Sequence, residues 1–228
     1  MSTFIHYFLF QIFPYLMLTL CVVGCILRYD RDPYSWRSKS SQLLKRKSLI
    51  MGSILFHVGI LIIIGGHIGG LLTPIEIFKL FEISHAAKQM LAIIVGGIAG
   101  LSCLIGLCLL LHRRLTEPRI YATSSRADIA VLCLLFAQVM LGLLTIPQSM
   151  QHLDGHEMLK FMHWAQHIAT FRADAYQYII DTALVFKLHI SLGLCLLGIV
   201  PFTRLVHALS VPLGYLPRPY QMVRKRET

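Results

Sequence analysis

Charge is what this chain has least of. Only 14% of its 228 residues are Asp, Glu, Lys or Arg, and only eleven are acidic, whereas soluble domains carry about 25% charged residues. With 56% hydrophobic residues and a mean hydropathy of +0.66, the composition excludes a soluble domain and gives an integral membrane protein. A basic leader is also missing. The first positive charge is Arg28, after an apolar run too long for a signal h-region, so no cleavable signal is expected, and the faintly lipoprotein-like VVGC at Val22–Cys25 is set aside. The six cysteines form no C-x-x-C pair and all fall in apolar runs. They read as small packing residues, which excludes a disulfide framework and a thiolate metal site. A net charge of +10 in such a chain reflects basic cytoplasmic loops and not nucleic-acid binding.

What is present is five apolar segments: Phe4–Leu27, Leu49–Leu72, Met90–Leu111, Ala127–Ile146 and Leu184–Val206. Each is near the roughly 20 residues that span a hydrocarbon core. The expected architecture is an all-α membrane protein of five transmembrane helices forming one domain over residues 1–228. Lys and Arg set its orientation. Sixteen of them fall in the first loop, the third loop and the C-terminal region, and five elsewhere. Positive charge stays inside, so the N-terminus is expected outside and the C-terminus in the cytoplasm.

One stretch stands out, SILFHVGILIIIGGHIGG at Ser53–Gly70, with two histidines and five glycines. An ionisable side chain in lipid is costly without a function or a partner. Glycine costs a helix about 1 kcal/mol relative to alanine, so a run of them suggests a bulky group close to the backbone. Histidine ligates haem iron. Of eleven histidines, His57, His67, His189 and His207 alone lie within or at the edges of apolar segments with apolar neighbours on both sides. His6, His85 and His112 read as interface residues. Because segments two and five run in opposite directions, His67 pairs with His189 toward the outside and His57 with His207 toward the cytoplasm. The axial match is imperfect: ten residues rise about 15 Å and eighteen about 27 Å, and His57 and His67 point about 80° apart while His189 and His207 share a face. Tilt, oblique haem planes or a kink at Pro201 would absorb the difference. Spacing permits two haems between helices II and V, one haem, or a use of the histidines without haem.

Two stacked haems would carry electrons across the membrane from a lipid-soluble donor, which points to quinol. Lys88, Glu82 and His85 lie in or beside the second outer loop, where a proton acceptor is needed. In the fourth loop, HEMLKFMHWAQH has apolar residues at helical spacing and is expected to form an interfacial, headgroup-facing helix. His163 and His167, with His152 or His156, offer the less favoured reading of a metal site.

Longer stretches carry a resemblance. LRYDRDPYSWRSKSSQLLKRK (Leu27–Lys47), LFHVGIL, GGHIGGLLTP, RRLTEPRIYATSSRADI, GLLTIPQSMQHLDG, FKLHISLG and PFTRLVHALSVPLGYLPRPYQMVR together run nearly end to end. They resemble the gamma subunit of respiratory nitrate reductase, a membrane cytochrome b. The resemblance implies two b-type haems, His67 and His189 holding the distal one and His57 and His207 the proximal one. It implies menaquinol or ubiquinol oxidation beside the distal haem, with protons released outside a bacterial cytoplasmic membrane. Electrons would pass to an iron–sulfur beta subunit and a molybdenum alpha subunit that reduces nitrate to nitrite. In the preferred register the family's quinol-interacting lysine falls on Ala87, with Lys88 next to it, and the role is carried to Lys88. Gly66 matches the quinol pocket. The loop Arg28–Lys47 and a cytoplasmic tail, residues 208–228, would face the beta subunit. A related cytochrome b serving another cytoplasmic reductase, and a haem-free anchor or transporter, are the competing readings.

Overall fold

The computed structural model describes residues 2–36 and 46–210. Residues 211–228 of the expected docking tail and residues 37–45 of the first loop lie outside the described residues. Among the described residues five helices are long and apolar enough to cross a membrane. In chain order these are α1 (Thr3–Arg31), α2 (Lys47–Leu72), α3 (His85–Thr116) and α4 (Arg126–Ser149), then, after the shorter amphipathic helix α5 (His156–Ala169), α6 (Leu184–Ile199), whose apolar span runs on to Phe202. Large apolar side chains stay exposed along them, among them Leu61, Ile98 and Leu101. That is the inverse of a soluble bundle and the surface a lipid environment requires.

Local chemistry sets the ends. Ser84 caps α3 by accepting from the Ala87 amide at 3.1 Å, and Ser125 and Asp128 form a reciprocal capping box at the start of α4. Gly155 precedes α5 with φ +82°, and a Cβ there would lie 2.6 Å from the backbone of His85. Only glycine satisfies both constraints. After His67, α2 loosens into a π-type turn over Ile68–Leu72.

The spans pack in the order α2, α3, α4, α6, α1. The α2–α3 contact is the closest, because glycines let the backbones meet. A Cβ on Gly106 would fall 2.4 Å from the Phe56 amide, and one on Gly59 would fall 2.6 Å from the Ala99 carbonyl. Small residues are the usual means of bringing membrane helices together, where no hydrophobic effect drives association. Cys103 and Leu107 of α3 and Leu132 and Val139 of α4 form the core beside them. All the cysteines are free; Cys25 and Cys103 are buried packing residues as expected, whereas Cys108, Cys133 and Cys195 are exposed.

Two expectations are corrected. The fifth segment is not one helix to Val206. Pro201 has no N–H to continue the ladder, and α6 gives way to a short 3-10 turn, an extended Thr203 and a second 3-10 turn, Arg204–Leu209, which carries His207. Nor is α5 simply a headgroup-facing helix. Its Met162, Ala165 and Ile168 are buried. Trp164 donates to the Phe10 carbonyl at 2.9 Å, and Gln166 donates to the Leu71 and Thr73 carbonyls at 3.2 and 3.0 Å. Helix ends leave carbonyls without intrahelical donors. Gln166 supplies one at the end of α2, so α5 is strapped across that end of the bundle.

Candidate functional site: two imidazole pairs

The fold brings all four singled-out histidines together in two pairs. The rings of His67 and His189 have centroids 6.1 Å apart, and those of His57 and His207 are 6.3 Å apart. In three of the four the tautomer follows from the neighbours. Nδ1 of His57 lies 2.7 Å from the Ser53 carbonyl and Nδ1 of His67 2.8 Å from the Ile63 carbonyl, and Nδ1 of His207 contacts the Arg204 carbonyl. A carbonyl can only accept, so Nδ1 carries the proton and Nε2 keeps its lone pair, the arrangement usual for a metal-ligating histidine. His189 is held differently: its backbone carbonyl accepts from Gln138 at 3.1 Å, its ring lies against Gly142, and its Nδ1 is buried without a hydrogen-bond partner.

These distances fit a metal between the rings. A metal–nitrogen bond of about 2.0 Å on each side, with roughly 1.1 Å from nitrogen to ring centre, gives about 6.2 Å between centroids. A macrocycle needs space beside the ligands as well. Methyl groups added to Gly65, Gly66, Gly69 and Gly70 of α2, or to Gly96 of α3, would meet nothing within 4 Å. Four of the five glycines in the Ser53–Gly70 stretch therefore leave open space, while Gly59 serves the contact with α3. His207 reaches its partner from the 3-10 turn beyond Pro201, so the helical arithmetic that placed it on one face with His189 does not apply.

Adjacent positions at the start of α3 diverge. Ala87 is exposed and Lys88 is buried. The Lys88 ammonium lies 2.8 Å from the Met162 sulfur and 3.4 Å from the Phe78 ring centroid, with no carboxylate in ion-pair range among the described residues. Glu82 is exposed on a turn at φ 53°, and His85 is half-buried against Gly155. His112 is exposed, whereas His6 is buried beside Phe10. The metal reading of the fourth loop gains nothing. His163 stacks on Tyr178, His167 bonds Asp174 at 2.8 Å, and no three-residue ligand group occurs among the described residues.

The opposite end holds polar contacts that loop charge counting missed. Asp128 faces Arg204 at 3.1 Å and Arg114 at 3.8 Å. Arg28 donates to the Pro201 and Thr203 carbonyls at 2.8 Å each and to the Ser35 carbonyl at 2.7 Å. The Ser125-x-x-Asp128 capping pattern was available in the sequence as a signal for Asp128. Nothing in the sequence distinguishes Arg28 from its neighbours.

Fold and site together define a polytopic membrane protein with two facing imidazole pairs carried by its second span, its fifth span and the turn that follows the fifth. The sequence model for the nitrate reductase gamma subunit matches residues 6–226, and the chain belongs to that family. It is 48% identical to the respiratory nitrate reductase 1 gamma chain of Escherichia coli K12, over 98% of this chain and 99% of that one. It is 39% identical to the nitrate reductase gamma chain of Bacillus subtilis 168, over 96% and 97% of the two chains.

Proposed function

We propose that this chain is the quinol-oxidising, di-haem cytochrome b subunit of a membrane-bound respiratory nitrate reductase in a bacterial cytoplasmic membrane. The observation that carries the reading is the pair of imidazole–imidazole separations, 6.1 and 6.3 Å, each suited to a single iron. His67 and His189 would hold a distal haem b, and His57 and His207 a proximal one. When bound, the two haems supply one-electron redox chemistry and relay electrons toward an iron–sulfur beta subunit that feeds a molybdenum alpha subunit. The positive-inside rule places the α5 end outside and the Arg28 end in the cytoplasm.

This chain's own residues bind, orient and accept protons. The carbonyls of Ser53, Ile63 and Arg204 fix three ligand tautomers. The open glycine face at Gly65 and Gly66 beside His67 admits a flat quinol ring. Lys88, buried and without a carboxylate partner among the described residues, supplies a donor for a quinol oxygen, and α5 shields it from the outer water. Oxidation then releases protons on the α5 side. A reduced-minus-oxidised spectrum of membranes overproducing the chain should show b-type absorption, and its absence would end this reading. In the assembled complex, replacing His57 should leave quinol able to reduce the distal haem alone.

A further inference from the structure

The first span carries none of the four paired histidines, yet it holds the Pro201 break that follows α6. Pro201 interrupts the fifth span six residues before His207, so no continuous helix positions that ring. Two residues of α1, four apart and therefore on one face, seat the interruption. At Gly24 a Cβ would lie 2.7 Å from Cγ of Pro201, so glycine is what allows the proline ring to lie against α1. One turn on, the Arg28 guanidinium binds the Pro201 and Thr203 carbonyls, one on each side of the turn from helix to extended chain. Its other donors reach the Ser35 carbonyl and, from Nε at 3.0 Å, the Ser35 hydroxyl, so the fork itself is anchored. Thr203 then starts the His207 turn by accepting from the Leu205 amide at 3.3 Å. Carbonyls at a helix break buried without donors are costly, and an arginine fork can satisfy two at a fixed spacing.

We infer that Gly24 and Arg28 are positioning residues for the inner imidazole pair: they splint the Pro201 break and so set the place of His207 opposite His57. The inference rests on the haem reading above, and it assigns the two ends different dependencies. His67 and His189 both stand on helix, with no proline break between either ring and its span.

The experiment compares Arg28→Gln, Arg28→Lys and Gly24→Ala with the unaltered chain in the assembled complex. It reads haem per chain, the midpoint potential of each haem and their separate low-spin EPR signals, the inner one identified by its absence in a His57 variant. Supporting orientation contacts are worth about 10- to 100-fold in metal retention. Arg28→Gln should therefore lose inner haem by at least about 10-fold on dilution, or shift its potential and EPR signal, while the outer haem is unchanged. Arg28→Lys, which keeps the charge but not the fork, should fall between. Should Arg28→Gln fail to accumulate in the membrane, Gly24→Ala perturbs the same seat with charge preserved and should affect the same haem. Unchanged spectra in the variants, or equal loss of both haems, would overturn the splint. An unaltered complex with no b-type haem in this chain would instead overturn the reading on which it rests.

Discussion

The two imidazole pairs have nearly the same separation, 6.1 Å at the α5 end and 6.3 Å at the Arg28 end, but are built by different means. At the α5 end both rings project from helix, the neighbouring glycines leave space, and α5 crosses the end of α2. At the Arg28 end one ring comes from a 3-10 turn held by Arg28 of α1 and Asp128 of α4. The first end is an open glycine face beside a strapped helix, and the second is a tied joint. The difference matches the proposed tasks: a diffusing quinol must enter one end, whereas the other has only to keep a fixed ligand distance beside a docked partner.

The comparison breaks most sharply at the ligands. His67→Ala in the complex should abolish quinol-driven reduction of both haems and lower quinol-to-nitrate electron transfer by about 100-fold or more, since losing a ligand exceeds the 10- to 100-fold cost of losing its support. His57→Ala should stop electrons after the distal haem. Rapid-mixing spectroscopy with a quinol donor checks both, and intact transfer in either variant would remove the proposed order of the two sites.

Lys88 is next. Lys88→Ala should slow quinol oxidation by about 100-fold, the low end of the range for losing a positioned proton-transfer group, with haem content unchanged. Unaltered quinol kinetics would transfer the role to Gly66 or His85. The sequence alone allowed Ala87 or Lys88 here, because positions 100° apart on a helix cannot be ranked without knowing which face is inward. The structure separates them: Lys88 is packed between Phe78 and Met162, and Met162 belongs to a helix 74 residues away in sequence.

Glycines sharpen the contrast between contact and cavity. Gly106→Ala should destabilise the protein by about 1–3 kcal/mol, as overpacking does, because its Cβ would lie 2.4 Å from the backbone of Phe56. Gly66→Ala meets nothing within 4 Å, so its effect should fall on quinol binding with the unfolding midpoint in detergent preserved. Equal midpoint losses for the two would erase the distinction.

Much of this plan was legible in the sequence. Hydropathy gave the five spans, and antiparallel directions paired His67 with His189 and His57 with His207. Two things were not legible, for a common reason. Pro201 announced a kink, but whether the chain would bend or break depended on what received its carbonyls, and Arg28 lies 173 residues away. Similarly, the apolar spacing of α5 indicated an amphipathic helix, but the surface it would cover depended on the carbonyls that end α2. Periodicity reports a side chain's face, not the distant backbone group that face will meet.

The smallest expected effect concerns the cover. His163 lies between α5 and Tyr178, and burial, reinforced by the neighbouring His167, holds its pKa below the ordinary 6.5, against a weaker upward pull from Glu76. A histidine whose folded pKa is depressed binds its proton more readily when α5 is released. The contact is therefore fully stable above the ordinary value and weakens as pH falls from there toward the folded value. The Asp174 carboxyl, held low by its hydrogen bond from His167, keeps its contact through that same interval and loses it only at lower pH. Protection of the α5 amides, taken as exchange rates corrected for the intrinsic pH dependence of amide exchange, should thus fall modestly between pH 7.5 and pH 5.5, while protection in α2 and α3 does not. His163→Phe keeps the stacking on Tyr178 and removes the titration, so it should flatten the response. If α5 loses protection equally in that variant, the cover is loosened by acid through some other group, and the α5 end is no more pH-sensitive at His163 than the joint at Arg28.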